Sequence, residues 1–342
     1  MQGRFMMSMK SANNELDKHY VHFVGIDVAK KSFVLATSLS PKTKNYDNTA
    51  QGIDQAICFI KEEHKQCDNG KTLVVLESTG GLEVPLAKAI HLAGICVMIA
   101  NPRQTHQFAK SQSLTKTDNK DAKMLAFYAK MMAQRDDLAT LLYCPPSQSQ
   151  ELLTALINRR NQFVQMCVAE KNRLEQSHHS QISSIQAHIT YLTEQIHELD
   201  KQIKTHLDDD NHPDLKQTSS VIQSVKGVGQ TTTATLLAML PELGTISHKQ
   251  LASLVGVAPH PKQSGETKFK GLCQAGRPEV RKALYMATLV ATRFDEKIKT
   301  FYQRLRANGK PFKVAIVACM HKLLTILNAR VRDELQKQVV VR

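Results

Sequence analysis

The chain has 342 residues, 42% of them apolar and 22% charged, with no tryptophan. That is enough apolar material for two or three packed domains, and it argues against a largely disordered chain. Formal charge is +14, and residues 262–342 hold 18 Lys and Arg against 6 Asp and Glu, so most of the surplus lies in the last quarter. A polyanion partner fits that concentration best, since each neutralised phosphate releases counterions. A solubilising surface and an anionic membrane surface are the weaker alternatives.

Seven cysteines occur without a CxxC pair, which argues against a zinc ribbon or a disulfide framework and for reduced thiols in a cytosol. The first twenty residues are polar, with no signal core. No apolar run read from the sequence approaches the ~18–20 residues of a membrane span. The expectation is a cytoplasmic protein without a membrane partner.

In chain order, Val21–Val28 and Lys31–Leu39 are β-branched runs, and a third, weaker strand is expected near Asn45–Thr49. Residues 51–64 (QGIDQAICFIKEEH) read as helix, Thr72–Ser78 as a buried strand, 82–94 as helix ending at Gly94, and Ile95–Ala100 as another buried strand. Continuous apolar strands between helices suit a sheet covered on both faces. Three early strands followed by αβαβα is the order of an RNase H-like domain, although other α/β folds share the pattern.

The segment CPPSQSQ at Cys144–Gln150 reads as a boundary. Beyond it, Ile182, Ile185, Ile189, Leu192, Ile196, Leu199 and Ile203 step alternately by three and four, which is a heptad seam. An earlier arm carries Leu153, Leu156, Phe163, Met166 and Leu174. The pair reads either as a coiled-coil insertion, for dimerisation or for reaching across nucleic acid, or as an intramolecular helical hairpin. Residues 208–214 (DDDNHPD) end it, and a mostly helical basic region begins near Thr218. The expected division is 21–145, 147–210 and 218–330: α/β first, then all-α.

Four acids stand out. Asp27, in GIDVAK, and Glu77, in VVLESTG, sit near the ends of two strands, where ligands gather in open α/β sheets. Asp118 and Asp121, in KTDNKDAKML, are three apart at a helix start and share a helix face. Four carboxylates in one cleft would bind Mg²⁺ or Mn²⁺ through hard oxygens, and two such ions stabilise the attacking and leaving oxygens of a phosphoryl displacement. Each acid has a plainer role as well: helix-dipole partner, N-cap or turn residue.

Further on, SVKGVGQTTTATLLAML resembles a helix-hairpin-helix, whose Gly227–Gly229 turn presents backbone N–H groups to a phosphate. The alternative is an ordinary tight turn. The segment GVAPHPKQSGETKFKG at 256–271 reads as a loop with two prolines. There Ser264 is a candidate nucleophile and Lys262, Lys268 and Lys270 are candidate phosphate contacts, against the simpler reading of a Ser-Gly turn. Arg281 and Lys282 add basic candidates on the helix that follows.

Taken together, GIDVAKKSF, LESTGG and KTDNKDAKMLA, then SVKGVGQTTTATLLA, LASLVGVAPHPKQSG and RPEVRKALYMATLVA, resemble the DEDD-type insertion-sequence transposases and the related Piv-type DNA invertases. The ordered set spans roughly Phe23 to Lys322. The resemblance implies a RuvC-like domain whose acids are Asp27, Glu77, Asp118 and Asp121. It also implies a C-terminal transposase domain whose serine, Ser264 by motif position, forms a covalent phosphoserine intermediate with double-stranded DNA. Some members of the family are guided by a structured bridge RNA and work as dimers paired into tetramers, and a nucleoid location follows from acting on chromosomal DNA.

Gln274 stands where a basic residue is more usual, and the leading ~20 residues have no counterpart, so Met6, Met7 and Met9 are alternative starts. His260 is the histidine nearest Ser264, but the carboxylate cluster is the preferred activating group. A RuvC-like junction nuclease that hydrolyses with water is the competing enzyme. An ATP-binding kinase or actin-like protein is suggested only by GIDVAK and ESTGG.

Overall fold

The computed structural model describes residues 20–65, 67, 70–112, 118–264, 267–273 and 276–340, with side-chain surroundings for all of these except 112, 118–120, 260–264, 267–272 and 338–340. The chain divides into two compact units between Pro145 and Pro146.

The first unit is built on a five-stranded sheet of β1 (Tyr20–Val28), β2 (Ser32–Thr37), β3 (Lys44–Asp47), β4 (Lys71–Glu77) and β5 (Cys96–Ala100). Its spatial order is β3-β2-β1-β4-β5. The first three strands form an antiparallel meander, whereas β4 and β5 join β1 in parallel. Thr49 lies outside β3: its hydroxyl instead caps α1 (Ala50–His64) by accepting from the Gly52 N–H.

Alternation along the strands assigns the two faces. Val24, Ile26, Val28, Val74 and Leu76 pack with Ile53, Ala56 and Ile60 of α1 and with Leu86, Ala87 and Ile90 of α2 (Val84–Leu92). Phe23, Leu73 and Val75 point the other way, against Leu125, Tyr128, Ala129 and Met132 of α4 (Asp118–Met132), with Phe108 of α3 (Pro102–Gln112) beside them. This is a mixed α/β sandwich with helices on both faces.

The approach of α4 is set by Gly25. A Cβ there would lie 2.2 Å from the Ala122 carbonyl oxygen and 2.2 Å from the Ala126 nitrogen. Ala122 and Ala126 in turn pack against Val34 and Ala36 of β2. Small residues on both sides let helix backbone rest on strand backbone.

In the second unit, α5 (Gln148–Leu174) and α6 (Ile182–Leu207) are two long helices joined through a short 3₁₀ turn at His179–Gln181. The heptad seam has an intramolecular partner: Leu192 and Leu199, with Ile189 and Ile196, pack on Phe163 and Cys167. Arg160 and Asp200 bridge the two helices at 2.6 Å. Of the two readings of this segment, the structure takes the helical hairpin. At its base Leu153, Ile157, Ile203 and Leu207 share a core with Ala234 and Ala238 of α8 (Gln230–Met239).

The remaining elements are α7 (Pro213–Gln223), α9 (His248–Val255), β6 (His260–Ser264), β7 (Thr267–Leu272), α10 (Pro278–Phe294), α11 (Glu296–Ala307) and α12 (Phe312–Val340). Ile316, Cys319, Met320, Leu323, Leu324, Leu327 and Val331 of α12 run through the main core of this unit. One stretch of that helix, Phe312–Lys337, is long and apolar enough by length and composition to cross a membrane, with a mean hydropathy of 1.5 and half of it buried. Its longest unbroken apolar run is Val314–Met320, between Lys313 and His321, so no uninterrupted run of that length occurs in it. Lys, Arg and His are spaced along the helix; its apolar face packs onto α10, which brings Val280, Leu284, Ala287 and Ala291 to the same core.

Candidate functional site

Asp27 and Glu77 lie at the carboxyl ends of neighbouring parallel strands. The register pairs Ile26 with Leu76, so the next residues, Asp27 and Glu77, stand side by side. Both follow the face of Phe23, Leu73 and Val75, which is the face α4 covers. Both are half-buried. The same face and the same end of β1 receive the start of α4, because Ala122, the residue after Asp121, rests on Gly25 two positions before Asp27. Asp121 is half-buried there; Asp118 opens the helix, and its side chain lies outside the described residues.

Glu77 is not left to find its own orientation. Its Oε2 accepts a 2.7 Å hydrogen bond from the hydroxyl of Thr105, a fully buried residue in the first turn of α3. The loop leaving Glu77 is held from the inside by Glu83, which is nearly buried. Its Oε2 accepts from the backbone N–H groups of Thr79 (3.0 Å) and Gly81 (2.9 Å) and from the Thr79 hydroxyl, and its Oε1 accepts from the Ser78 hydroxyl. Burial alone would push this carboxyl up, but donation from its own backbone and those of Thr79 and Gly81, with the Ser78 hydroxyl, outweighs it and holds Glu83 below the ordinary glutamate value.

The sequence reading missed both residues. The cue for Glu83 was an acid beside a helix start marked by Pro85, two residues after the Gly80–Gly81 pair. Thr105 carried no cue, because its partner is 28 residues away.

The donor set fits a hard divalent cation, since carboxylates at adjoining strand ends and a helix start supply oxygen ligands alone. Even so, among the described residues no group of three or more His, Cys, Asp or Glu side chains closes into a metal-holding cluster.

In the second unit, the segment read as a loop at 256–271 is a β-hairpin. Ser264 ends β6 and pairs with Thr267, at the tip of a two-residue connection. Strand-forming Thr267, Phe269 and Leu272, opposed to the extended HPKQS, make pairing possible where two prolines suggested a loop. The side chains of Ser264, Lys262, Lys268, Lys270 and His260 lie outside the described residues.

The base of the hairpin is fixed. The Arg277 backbone N–H donates to the Leu254 carbonyl, and its guanidinium grips both Glu242 carboxylate oxygens at 2.6 Å and the Met239 carbonyl at 2.8 Å. Arg281 donates to the Val255 carbonyl, and Lys282 pairs with Glu279 at 2.8 Å. These two residues therefore carry structural contacts alongside any role towards nucleic acid.

The two glycines of the 227–229 turn separate. Gly227, at φ 95°, is pressed against the backbone of Ala287 and Ala291 in α10, so its lack of a side chain serves packing. Gly229 faces open space at the start of α8, whose first turn has no side-chain cap.

Residues 24–179 match a family model described as Transposase, of the DEDD and IS110 type, and residues 219–303 match the Transposase IS116/IS110/IS902 family. All four acids fall in the first match, and Ser264 and the 227–229 turn in the second. The fold and these matches define the class: a DNA-recombining enzyme of the transposase and recombinase type.

The pilin gene-inverting proteins of Moraxella lacunata and Moraxella bovis are each 31% identical over 319 residues, 91% of this chain and 96% of theirs. An uncharacterised 43.6 kDa protein of insertion element IS110 from Streptomyces coelicolor is 31% identical over 157 residues, 44% of this chain and 36% of its own length. The chain belongs to the IS110 family of transposases and DNA invertases, in agreement with the motifs from GIDVAKKSF onward.

Proposed function

We propose that this protein cleaves and rejoins DNA strands with a carboxylate-held divalent metal and a serine nucleophile. In this reading residues 21–145 form a RuvC-like catalytic domain, 147–210 a helical arm and 218–330 the serine-bearing domain. The observation that carries the proposal is the meeting of Asp27, Glu77 and the start of α4 on one face at one end of the sheet. The strand order β3-β2-β1-β4-β5, with its mixed directions, supports the RNase H-like assignment.

Asp27, Glu77, Asp118 and Asp121 would hold Mg²⁺ or Mn²⁺, in line with the general use of divalent metals by DEDD-type transposases. The bound cation supplies charge stabilisation to phosphoryl oxygens. The Ser264 Oγ forms a bond to phosphorus while the bond from phosphorus to one deoxyribose oxygen breaks. The freed DNA hydroxyl takes up a proton as the serine gives one up. Reversal with a hydroxyl from a second strand reseals the backbone, so the ester conserves the bond energy and no ATP is consumed. A hydroxyl at the tip of a hairpin whose base is clamped by Arg277 suits such a nucleophile. Gly229 and the uncapped start of α8 serve as a backbone contact for a DNA phosphate.

The test is Ser264→Ala. It should abolish both recombinant product and the covalent protein–DNA adduct while duplex binding persists; unchanged cleavage would instead mark a water-using junction nuclease. Inversion of one chromosomal segment is the second reading, favoured by gene-inverting relatives that align over nearly the whole chain. A single locus bounded by inverted repeats in the flanking DNA supports inversion, whereas repeated element ends at many loci support transposition. The dimer or tetramer and the guide RNA that the family resemblance implies are tested by sizing the assembled complex and by recombination after ribonuclease treatment.

A further inference from the structure

On the surface of the second unit, α11 and α12 enclose a shallow depression of about 440 Å³ lined by Glu296, Lys297, Thr300, Phe301, Arg304 and Lys322. Residues 297, 300, 301 and 304 recur at helical spacing, so they share one face of α11. The Phe301 ring anchors the cluster. Its edge packs on the main core, while the Lys322 Nζ sits 4.5 Å and the Arg304 guanidinium carbon 5.3 Å from its centroid. Lys322 also donates to the Lys297 carbonyl at 3.2 Å.

Two cations are thus positioned on one aromatic ring, with a third at the rim. Among the described residues none of the three forms an ion pair with a carboxylate, the Arg304 guanidinium donates no hydrogen bond, and the Thr300 hydroxyl makes none. Three cations against the single carboxylate of Glu296 leave the depression net positive, and a bound anion relieves the remaining repulsion. Arg306, one residue pair along, shows the contrast: its guanidinium is spent on the Lys310 carbonyl.

We propose that Lys297, Thr300, Arg304 and Lys322, held over Phe301, form a docking point for the sugar–phosphate backbone of duplex DNA, separate from the carboxylate site. The inference rests on the DNA-recombining reading for its choice of polyanion. A forked guanidinium, an ammonium and a hydroxyl are the groups that grip phosphate oxygens, and such contacts position a protein without reading sequence.

The experiment measures anisotropy of a labelled duplex of arbitrary sequence with the full chain across a salt series. Arg304→Gln combined with Lys322→Gln should lower the slope of log K against log salt by about one to two. The pair Lys201→Gln and Lys204→Gln, on the exposed side of α6, removes equal charge elsewhere and should change the slope less. Phe301→Leu keeps the charge but removes the platform, and should weaken binding at constant helical content. Equal effects from the two charge pairs would overturn the site while leaving the DNA-recombining reading intact, and so would loss of binding to structured RNA with duplex DNA unaffected. A wild-type chain that does not bind duplex DNA would overturn both.

Discussion

Gly25→Ala adds one methyl group at the point where α4 rests on β1. The new Cβ would stand 2.2 Å from the Ala122 oxygen, 2.2 Å from the Ala126 nitrogen and 2.6 Å from the Leu125 carbonyl carbon. All three are backbone atoms, so no side-chain rotation relieves the clash. Ordinary contact begins near 3.4 Å, so the helix must retreat by about 1.2 Å. Because Ala122, Leu125, Ala126 and Ala129 are buried against the sheet, that retreat loosens a whole layer and should cost ~1–3 kcal/mol. It also carries Asp118 and Asp121 away from Asp27 and Glu77, and a misplacement of about 1 Å at a reacting centre costs on the order of 100-fold in rate. Thermal melting and single-turnover strand exchange on a supercoiled substrate measure the two effects. A Gly25→Ala protein that melts and recombines like wild type would refute the claim that this close approach builds the site.

Three other perturbations have defined outcomes. Thr105→Val is nearly isosteric and removes the 2.7 Å bond to Glu77; a bond to a charged group contributes ~1.5–3 kcal/mol, so recombination should fall about 10- to 100-fold. As a positioning residue, Thr105 should also shift the Mg²⁺ concentration needed for half-maximal rate, and Thr105→Ser should restore it. Glu83 has a lowered pKa in the folded protein, so its stabilising contribution is complete above the ordinary glutamate value and disappears as pH falls through the lower, folded value. The melting difference between wild type and Glu83→Gln should therefore be flat near neutrality and shrink in acid; a difference that grows in acid would reverse the assignment. Glu242→Gln breaks the two-pronged grip on Arg277, a partly exposed pair worth about 1 kcal/mol or less, so stability should change little while formation of the Ser264–DNA adduct slows.

The sheet was legible because its strands are continuous apolar runs and its helices end at recognisable signals, as at Gly94. Where reading failed, the cause was non-local. Thr49 looks like the end of a weak strand because β-branched residues favour strands, yet its hydroxyl has more to gain at the start of α1. The heptad seam in α6 was visible, but its partner was not. Periodicity shows which face is apolar and leaves open whether Phe163 and Cys167 of the same chain or a second copy will cover it. The hairpin bearing Ser264 was obscured by two prolines, since strand pairing depends on β7 as much as on β6.

The candidate site follows the same division. Asp27 and Glu77 were identifiable because strand ends and acid identity are both local properties. Their adjacency depends on β4 entering beside β1 in parallel, which no spacing in the chain encodes. The supporting residues are less visible still. Thr105 reaches Glu77 only after α3 packs beside α4, and Glu83 acts inward on its own loop, where an acid before a helix ordinarily serves the dipole. Thr105→Val and Glu83→Gln keep the buried volume of these side chains and change only the hold on a carboxylate or its loop, so each should alter the metal or pH response more than the packing.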